Sequence, residues 1–245
     1  MGLIEQMQSS GRWLFKFRGQ IPLVLFILAV PVVYYNADCI RTISSGTLTA
    51  INLSAFVVSI LGFLIRFYTV GTTPHGTSGR NTKEQVAEVL NTTGIYSLVR
   101  HPLYLGNYLI WLGIVIYTKS ISFTVVFSLL YWVYYERIMM AEEHYIGEKF
   151  GAVFREWSDR IPAFIPKLSG FTPPSKAFSI KQVLRREYSG VLATVIGFVF
   201  VQQLIGMFSK GQGYIVGREY LYMLVGTGLA ALVLRSLKHY TKVLD

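Results

Sequence analysis

The stretch INLSAFVVSILGFLIRFYTV, residues 51–70, contains one charged side chain, Arg66, among its twenty residues. An α-helix rises 1.5 Å per residue, so about 20 apolar residues are needed to cross the hydrocarbon core of a bilayer. The stretch therefore predicts a transmembrane helix. Five further apolar runs with very few charges follow the same pattern along the chain: 21–35, 104–117, 121–135, 191–208 and 220–234.

The composition of the 245-residue chain agrees with a lipid environment. Hydrophobic residues make up 52% of it and charged residues 15%, and the mean hydropathy is +0.45. These values exceed those typical of soluble globular domains. We predict an all-α, polytopic integral membrane protein with about six transmembrane helices. The runs at 104–117 and 121–135 are short and only three residues apart, which predicts a helical hairpin whether or not each half crosses completely.

The first apolar run, 21–35, is interpreted as a retained membrane segment. It follows Arg12, Lys16 and Arg18, as the apolar part of a signal peptide does, but it starts late and lacks a small-residue cleavage site. Pro22 and Pro31 fit the start and a kink of a membrane helix.

The net charge of +10 comes from 23 Lys and Arg against 13 Asp and Glu. If both termini are cytoplasmic and six segments cross, only Arg41, Lys119, Lys210 and Arg218 lie on the far side. Positive residues concentrate on the cytoplasmic side of membrane proteins and near anionic lipids. The charge thus predicts cytoplasmic termini and a bilayer partner, and it needs no nucleic acid. The single cysteine, Cys39, excludes an internal disulfide, and we predict no metal site.

Three regions are predicted: N-terminal helices and a loop at 1–93, a core at 94–166, and a linker with a C-terminal helix pair at 167–245. The loop 71–81, rich in Gly, Thr and Ser, is interpreted as a mobile connection, with a lid over a site as the less favoured alternative. The linker 167–181 contains Pro173-Pro174 and predicts a turn or surface loop. The apolar spacing within 136–157 predicts an amphipathic cytoplasmic helix.

The stretch GIYSLVRHPLYLG, residues 94–106, brings Arg100, His101 and Tyr104 to the start of an apolar segment. Pro102 suits the first turn of a helix, so Arg100 and His101 flank free backbone N–H groups at the positive end of that helix. Such a place can hold an anionic group. The alternative interpretation is that Arg100 and His101 only anchor the helix at the membrane surface.

A second constellation begins at Glu142-Glu143, in EEHYIGEKFG at 142–151, and continues with RIPAFIP at 160–166. Carboxylates accept paired hydrogen bonds from ribose hydroxyls and attract a sulfonium. Taken alone, an acidic pair is more often the solvated face of a helix.

Together, RHPxYxG, the acidic pair about 40 residues later and the closing IPxxIP resemble the isoprenylcysteine carboxyl methyltransferases and phospholipid methyltransferases. The resemblance covers 94–166. It implies a cytosol-facing pocket for S-adenosylmethionine and a lipid or lipidated methyl acceptor. Carried over by position, it implies roles in catalysis for Arg100, His101 and Glu142. The implied cofactor contacts are His101, Tyr104, Gly106, Glu142, Glu143 and Arg160.

The acceptor stays open, because the residues 136–141 lack the richer Arg and acidic run of the prenylcysteine enzymes. Prenylcysteine, a phospholipid amine, a lipid phosphate and other lipids all remain candidates, and an amine would need His101 or a glutamate as a base. An NADPH-dependent sterol or steroid reductase is the alternative enzyme, since such reductases share a related RHPxYxG segment. They usually carry Glu where this chain has Asn107. A non-catalytic membrane protein or transporter is the third class.

Overall fold

The computed structural model describes residues 2–74, 88–211 and 217–244, and these residues are helical apart from turns and loops. One 3-10 turn, Ile95–Ser97, and an isolated β-bridge between Gly94 and Thr172 lie outside the α-helices. The helices are α1 Leu3–Phe17, α2 Ile21–Tyr35, α3 Ala37–Thr42, α4 Ser45–Thr72, α5 Pro102–Ile116, α6 Ile121–Phe150, α7 Ala152–Ser158, α8 Ile180–Lys210 and α9 Arg218–Tyr240.

Three of these helices, α4, α8 and α9, are long and apolar enough to cross a membrane. Leu23–Tyr35 and α5 are shorter apolar helices. The prediction of an all-α integral membrane protein is confirmed, and the first apolar run forms α2 with the predicted bounds and Pro31 inside it. The count of six crossings stays a prediction. The expected hairpin is present as α5 and α6, joined by four residues.

The chain folds into two compact units. The second unit, residues 22–63, 109–127, 179–211 and 217–244, has an apolar core that includes Val33, Ala55, Tyr117, Phe198 and Val201.

Polar contacts join different segments within this second unit. The Tyr117 hydroxyl donates to Gln202 Oε1 at 2.8 Å and lies 2.6 Å from the Tyr220 hydroxyl. Ser59 Oγ donates to the carbonyl of Ile110 at 2.9 Å, linking α4 to α5. Such pairing satisfies polar groups that apolar surroundings would otherwise penalise.

The first unit, residues 2–21, 64–74, 88–108 and 128–178, contains an element that the sequence did not predict. Helix α1 packs against α6, where the Tyr134 hydroxyl donates to the carbonyl of Leu14 at 2.8 Å. A side chain at Gly11 would overlap the carbonyl oxygen of Arg137, so the absence of a side chain permits this close approach.

The separate amphipathic helix predicted at 136–157 is wrong. Helix α6 continues from the apolar hairpin without interruption to Phe150, and Gly151 then ends it. The φ of Gly151 is +56°, a left-handed conformation that glycine adopts without strain. The predicted apolar face is divided accordingly, with Ile138 buried on α6 and Phe154 buried on α7.

The linker 167–181 is non-helical as far as Ser179, as predicted, but it is held in place by hydrogen bonds. Its Lys167 N–H donates to the carbonyl of Leu98 at 3.1 Å, and the Gly94 N–H donates to the carbonyl of Thr172 at 2.8 Å. The lid interpretation of 71–81 falls largely on 75–81, which lie outside the described residues, as does His75. The region boundaries at 93 and 166 likewise stay predictions.

Candidate active site

The two sequence motifs meet through their backbones. The N–H of Arg100 donates to the carbonyl of Pro162 at 2.9 Å, and the N–H of His101 donates to the carbonyl of Ala163 at 3.1 Å. Pro102 then begins α5, where its missing N–H costs no hydrogen bond. The closing IPAFIP segment therefore fixes the residues that precede α5, which explains why the motifs at 94–106 and 160–166 occur together.

A charged cluster joins the start of α5 to the second half of α6. His101 Nε2 lies 2.8 Å from Glu143 Oε1, and Arg100 Nε lies 2.9 Å from the same oxygen. His101 Nδ1 forms a longer ion pair, 3.5 Å, with Glu142 Oε2. Arg100 Nη1 also donates to the carbonyl of Ser158 at 2.6 Å. Four residues that the sequence singled out, Arg100, His101, Glu142 and Glu143, thus form one connected group.

The burial of this cluster sets the protonation of its members. The His101 side chain is 7% exposed, whereas those of Glu142 and Glu143 are 28% and 23% exposed. Burial by itself lowers the pKa of His101, but the hydrogen bonds and charges of the two carboxylates outweigh it and raise that pKa from 6.5 to about 9. Burial raises the pKa of Glu142, and the facing His101 reverses this, so the net pKa is lowered. At neutral pH the cluster therefore contains a protonated imidazole between two carboxylates.

Aromatic rings adjoin the charged cluster. The Tyr104 ring stacks on His101 with the centroids 5.6 Å apart, and Tyr135 lies 4.8 Å from Tyr104. Tyr131 stacks on Tyr135 at 4.1 Å and donates its hydroxyl to the carbonyl of Tyr104 at 2.7 Å. Sequence reasoning missed Tyr131 and Tyr135. The sequence does carry a signal for them, which is the spacing of three and four residues that places them on the same helical face as Glu142. The positions on this face are 131, 135, 138 and 142.

A second polar contact, between Arg66 and Asn107, was also missed. Arg66, the one charge in the apolar stretch of α4, donates through Nη1 to Asn107 Oδ1 at 2.7 Å. On α5, Asn107 comes directly after Gly106 and lies one turn beyond Leu103. An ionisable residue inside an apolar helix points to a functional role, and its presence in 51–70 was the signal.

The remaining predicted positions lie as follows. Gly106 is buried within α5. Arg160 forms an ion pair with Glu156 of α7, and the two side chains are 66% and 74% exposed. The Nε of Arg160 also donates to the backbone carbonyl of Glu156 at 3.0 Å. The cofactor contact predicted for Arg160 stays a prediction. His144 forms an exposed pair with Glu148 at 3.3 Å, and His239 is exposed in the last turn of α9.

The apolar helices and the partly buried charged cluster define an all-α integral membrane protein with a candidate active site where apolar and charged segments meet. The chain belongs to the DUF1295 family, described as proteins of unknown function, whose family model matches residues 3–158. This match includes α1 to α7 and the acidic pair, and it leaves Arg160, α8 and α9 outside. No solved structure matches the chain.

Curated relatives fall into two groups by name. The nickel-cobalt-cadmium resistance protein NccN of Alcaligenes xylosoxydans xylosoxydans is 36% identical over 98 residues, 40% of this chain and 43% of the relative. The cobalt-zinc-cadmium resistance protein CzcN of Cupriavidus metallidurans is 40% identical over 80 residues, 33% of this chain and 37% of the relative. The protein-S-isoprenylcysteine O-methyltransferase of Schizosaccharomyces pombe is 29% identical over 119 residues, 46% of this chain and 50% of the relative. The chain spans about half or less of the length of each, and the resemblance to the isoprenylcysteine methyltransferases is confirmed.

Proposed function

We propose that this protein is an S-adenosylmethionine-dependent methyltransferase that acts on a lipophilic acceptor in the membrane. The observation that carries the proposal is the cluster of His101, Glu142 and Glu143, which joins residues 41 to 42 positions apart in one partly buried group. The curated methyltransferase relatives support the same reaction class, and the reductase alternative draws no support from them.

The residues present fit the methyl donor chemically. Glu142 and Glu143 each keep about a quarter of the side chain exposed, so their carboxylates are accessible to ribose hydroxyls and attract a positively charged sulfonium. Tyr104 adds an aromatic face next to His101. Gly106 lies on α5 together with Tyr104 and has no side chain. We assign donor binding to His101, Tyr104, Gly106, Glu142 and Glu143.

S-adenosylmethionine supplies a methyl group that its sulfonium has already activated. The task of the protein is therefore alignment and exclusion of water, which lower a barrier by roughly 7–11 kcal/mol in well-oriented reactions. Protonated His101 bridges the two glutamates and fixes both carboxylates. Arg100 holds Glu143 from the other side and is itself held by the carbonyl of Ser158. We infer that Arg100 organises the pocket, while His101 and Glu142 contact the reactants.

The protonation of the cluster favours one type of acceptor. His101, with a pKa of about 9, is protonated at neutral pH and has no lone pair with which to accept a proton. The pKa of Glu142 is lowered, which makes it a weak base. An amine acceptor has to lose a proton, whereas a carboxylate or a phosphate is already ionised. We therefore favour a lipid-linked carboxylate or phosphate over a phospholipid amine.

The orientation of the site belongs to the same proposal. The distribution of Lys and Arg supports both termini and the donor pocket on the cytoplasmic side, where the methyl donor is available. The acceptor then reaches the pocket from the bilayer.

Isothermal titration calorimetry on the detergent-purified protein tests the proposal, with S-adenosylmethionine and NADPH as separate titrants. We expect the wild type to bind the methyl donor and Glu142→Gln to bind it at least about tenfold more weakly, because a hydrogen bond to a charged group is lost. Glu148→Gln, an exposed acid on the same helix, is the matched control and should bind normally. Binding of NADPH alone, or equal donor binding by Glu142→Gln and the wild type, would contradict the proposal.

A further inference from the structure

Helix α1 presents two different sides. Gly11 and Phe15 are buried, and a side chain at Gly11 would overlap the backbone carbonyl of Arg137 on α6. Trp13 and Phe17 lie on the opposite side, because residues two positions apart in an α-helix point about 200° away from each other. Trp13 is 60% exposed, and its ring centroid lies 4.6 Å from that of Phe17. One side of α1 is thus packed against protein, and the other carries an exposed aromatic pair.

This helix lies where apolar segments of the chain begin and end. The four Cα steps from Phe17 to Ile21, the first residue of the apolar helix α2, span at most about 14 Å. On α6, the contacts with α1 involve the backbone of Arg137 and the hydroxyl of Tyr134, which donates to a backbone carbonyl of α1 at 2.8 Å. These two residues flank the point at which the apolar run 121–135 gives way to charged residues. Both connections indicate that α1 lies at the level of the membrane surface.

The charges beside the aromatic pair are positive. Arg12 and Lys16 are exposed and lie on α1 between its packed side and its aromatic side. A third base, Arg18, belongs to the packed side, because its guanidinium carbon lies 3.7 Å above the centre of the buried Phe15 ring. The acidic residue of α1, Glu5, accepts a hydrogen bond at the first turn of the helix. The aromatic end of α1 therefore offers two exposed cations and has no acidic residue of its own.

A helix with aromatic residues on one side and Lys or Arg beside them is the type that lies in the membrane interface. Tryptophan is enriched at the level of the headgroups, and basic residues near the surface attract anionic lipids. We propose that α1 is an interfacial anchor that binds anionic phospholipid. Trp13 and Phe17 insert among the headgroups of the adjacent leaflet, and Arg12 and Lys16 bind their anionic groups. This role goes beyond the proposed function and does not depend on it.

Tryptophan fluorescence of the full-length protein in lipid nanodiscs tests this inference. The discs contain phosphatidylcholine alone or with about one third phosphatidylserine, in each case with and without lipid brominated near the headgroup. Because the chain has four tryptophans, subtracting the emission of Trp13→Phe isolates the signal of Trp13. We expect brominated lipid to quench Trp13 more strongly when phosphatidylserine is present, and acrylamide dissolved in the water to quench it less.

Removing the two cations tests the role of charge. Each Lys or Arg near an anionic surface strengthens binding about fivefold, so Arg12→Gln combined with Lys16→Gln should lower the ratio of inserted to free α1 by roughly tenfold or more. Lys149→Gln combined with Arg155→Gln removes the same charge from exposed positions on α6 and α7. This matched control should leave the quenching of Trp13 unchanged.

Three results would overturn the inference while the proposed function stands. The first is equal quenching by brominated lipid with and without phosphatidylserine, because anionic lipid would then have no role. The second is quenching of Trp13 by acrylamide alone, which would mean that this side of α1 faces water. The third is protection of Trp13 from both quenchers, which would mean that protein, such as a second copy of the chain, covers this side.

Discussion

Replacing Glu143 by Gln removes the carboxylate that is shared by two cations. The lost contacts are those of Glu143 Oε1 with His101 Nε2 at 2.8 Å and with Arg100 Nε at 2.9 Å. Breaking a buried ion pair costs about 3–5 kcal/mol, because the remaining charge stays buried. Glu143 is 23% exposed and the amide oxygen of Gln still accepts a hydrogen bond, so we expect the lower value of about 2–3 kcal/mol.

Thermal unfolding of the detergent-purified protein measures this loss. A change of 1 kcal/mol lowers the unfolding temperature by about 2–4 °C in a protein of this size, so Glu143→Gln should unfold roughly 5–10 °C below the wild type. Glu148→Gln breaks the exposed pair with His144 and should lower the temperature by less than about 2 °C. An unfolding temperature for Glu143→Gln within about 1 °C of the control would refute the assignment of the cluster as a buried, connected group.

Three further predictions concern pH, packing and a buried hydrogen bond. Because the pKa of His101 is raised from 6.5 to about 9 in the folded protein, protonation of His101 should stabilise the fold by roughly 3 kcal/mol. This contribution should be complete below pH 6.5 and lost as the pH rises through 9. Unfolding temperatures that do not fall over this pH range contradict the assignment. Gly113→Ala would overlap Ser59 Oγ and should destabilise the protein by about 1–3 kcal/mol, whereas Gly226→Ala, with open space around it, should not destabilise it in the same unfolding assay. Tyr117→Phe removes hydrogen bonds to Gln202 and Tyr220 and should cost about 1–3 kcal/mol by thermal unfolding, and an unchanged midpoint would contradict the contacts.

Much of the candidate site was predictable because its residues carry distinctive local chemistry. Arg100, His101 and the pair Glu142-Glu143 were identified from their types and order, and the structure joins them in one cluster. Arg160 belonged to the same motif, yet it pairs with Glu156 one turn earlier on the surface. A motif fixes where a residue lies in the chain, but the direction of a long side chain depends on which neighbour it meets.

The residues that sequence reasoning missed share one physical property, which is that their role comes from contacts between distant segments. Arg66 meets Asn107 across two helices, and α1 packs against α6 through Gly11 and the hydrogen bond from Tyr134 to Leu14. No local pattern in 2–20 indicates that partner. The extent of α6 was missed for a related reason, since the apolar pattern ended near 135 although the backbone continues as a helix to Gly151.

The sequence by itself determined the membrane class, the helical fold and the motif residues, because hydropathy, glycine and proline positions and residue chemistry act over short stretches of chain. Only the tertiary structure decided that IPAFIP binds the backbone of Arg100 and His101, that Glu143 is shared by two cations, and that α1 packs against α6. Such contacts depend on how helices and loops pack in three dimensions, and the order of residues along the chain does not state that packing.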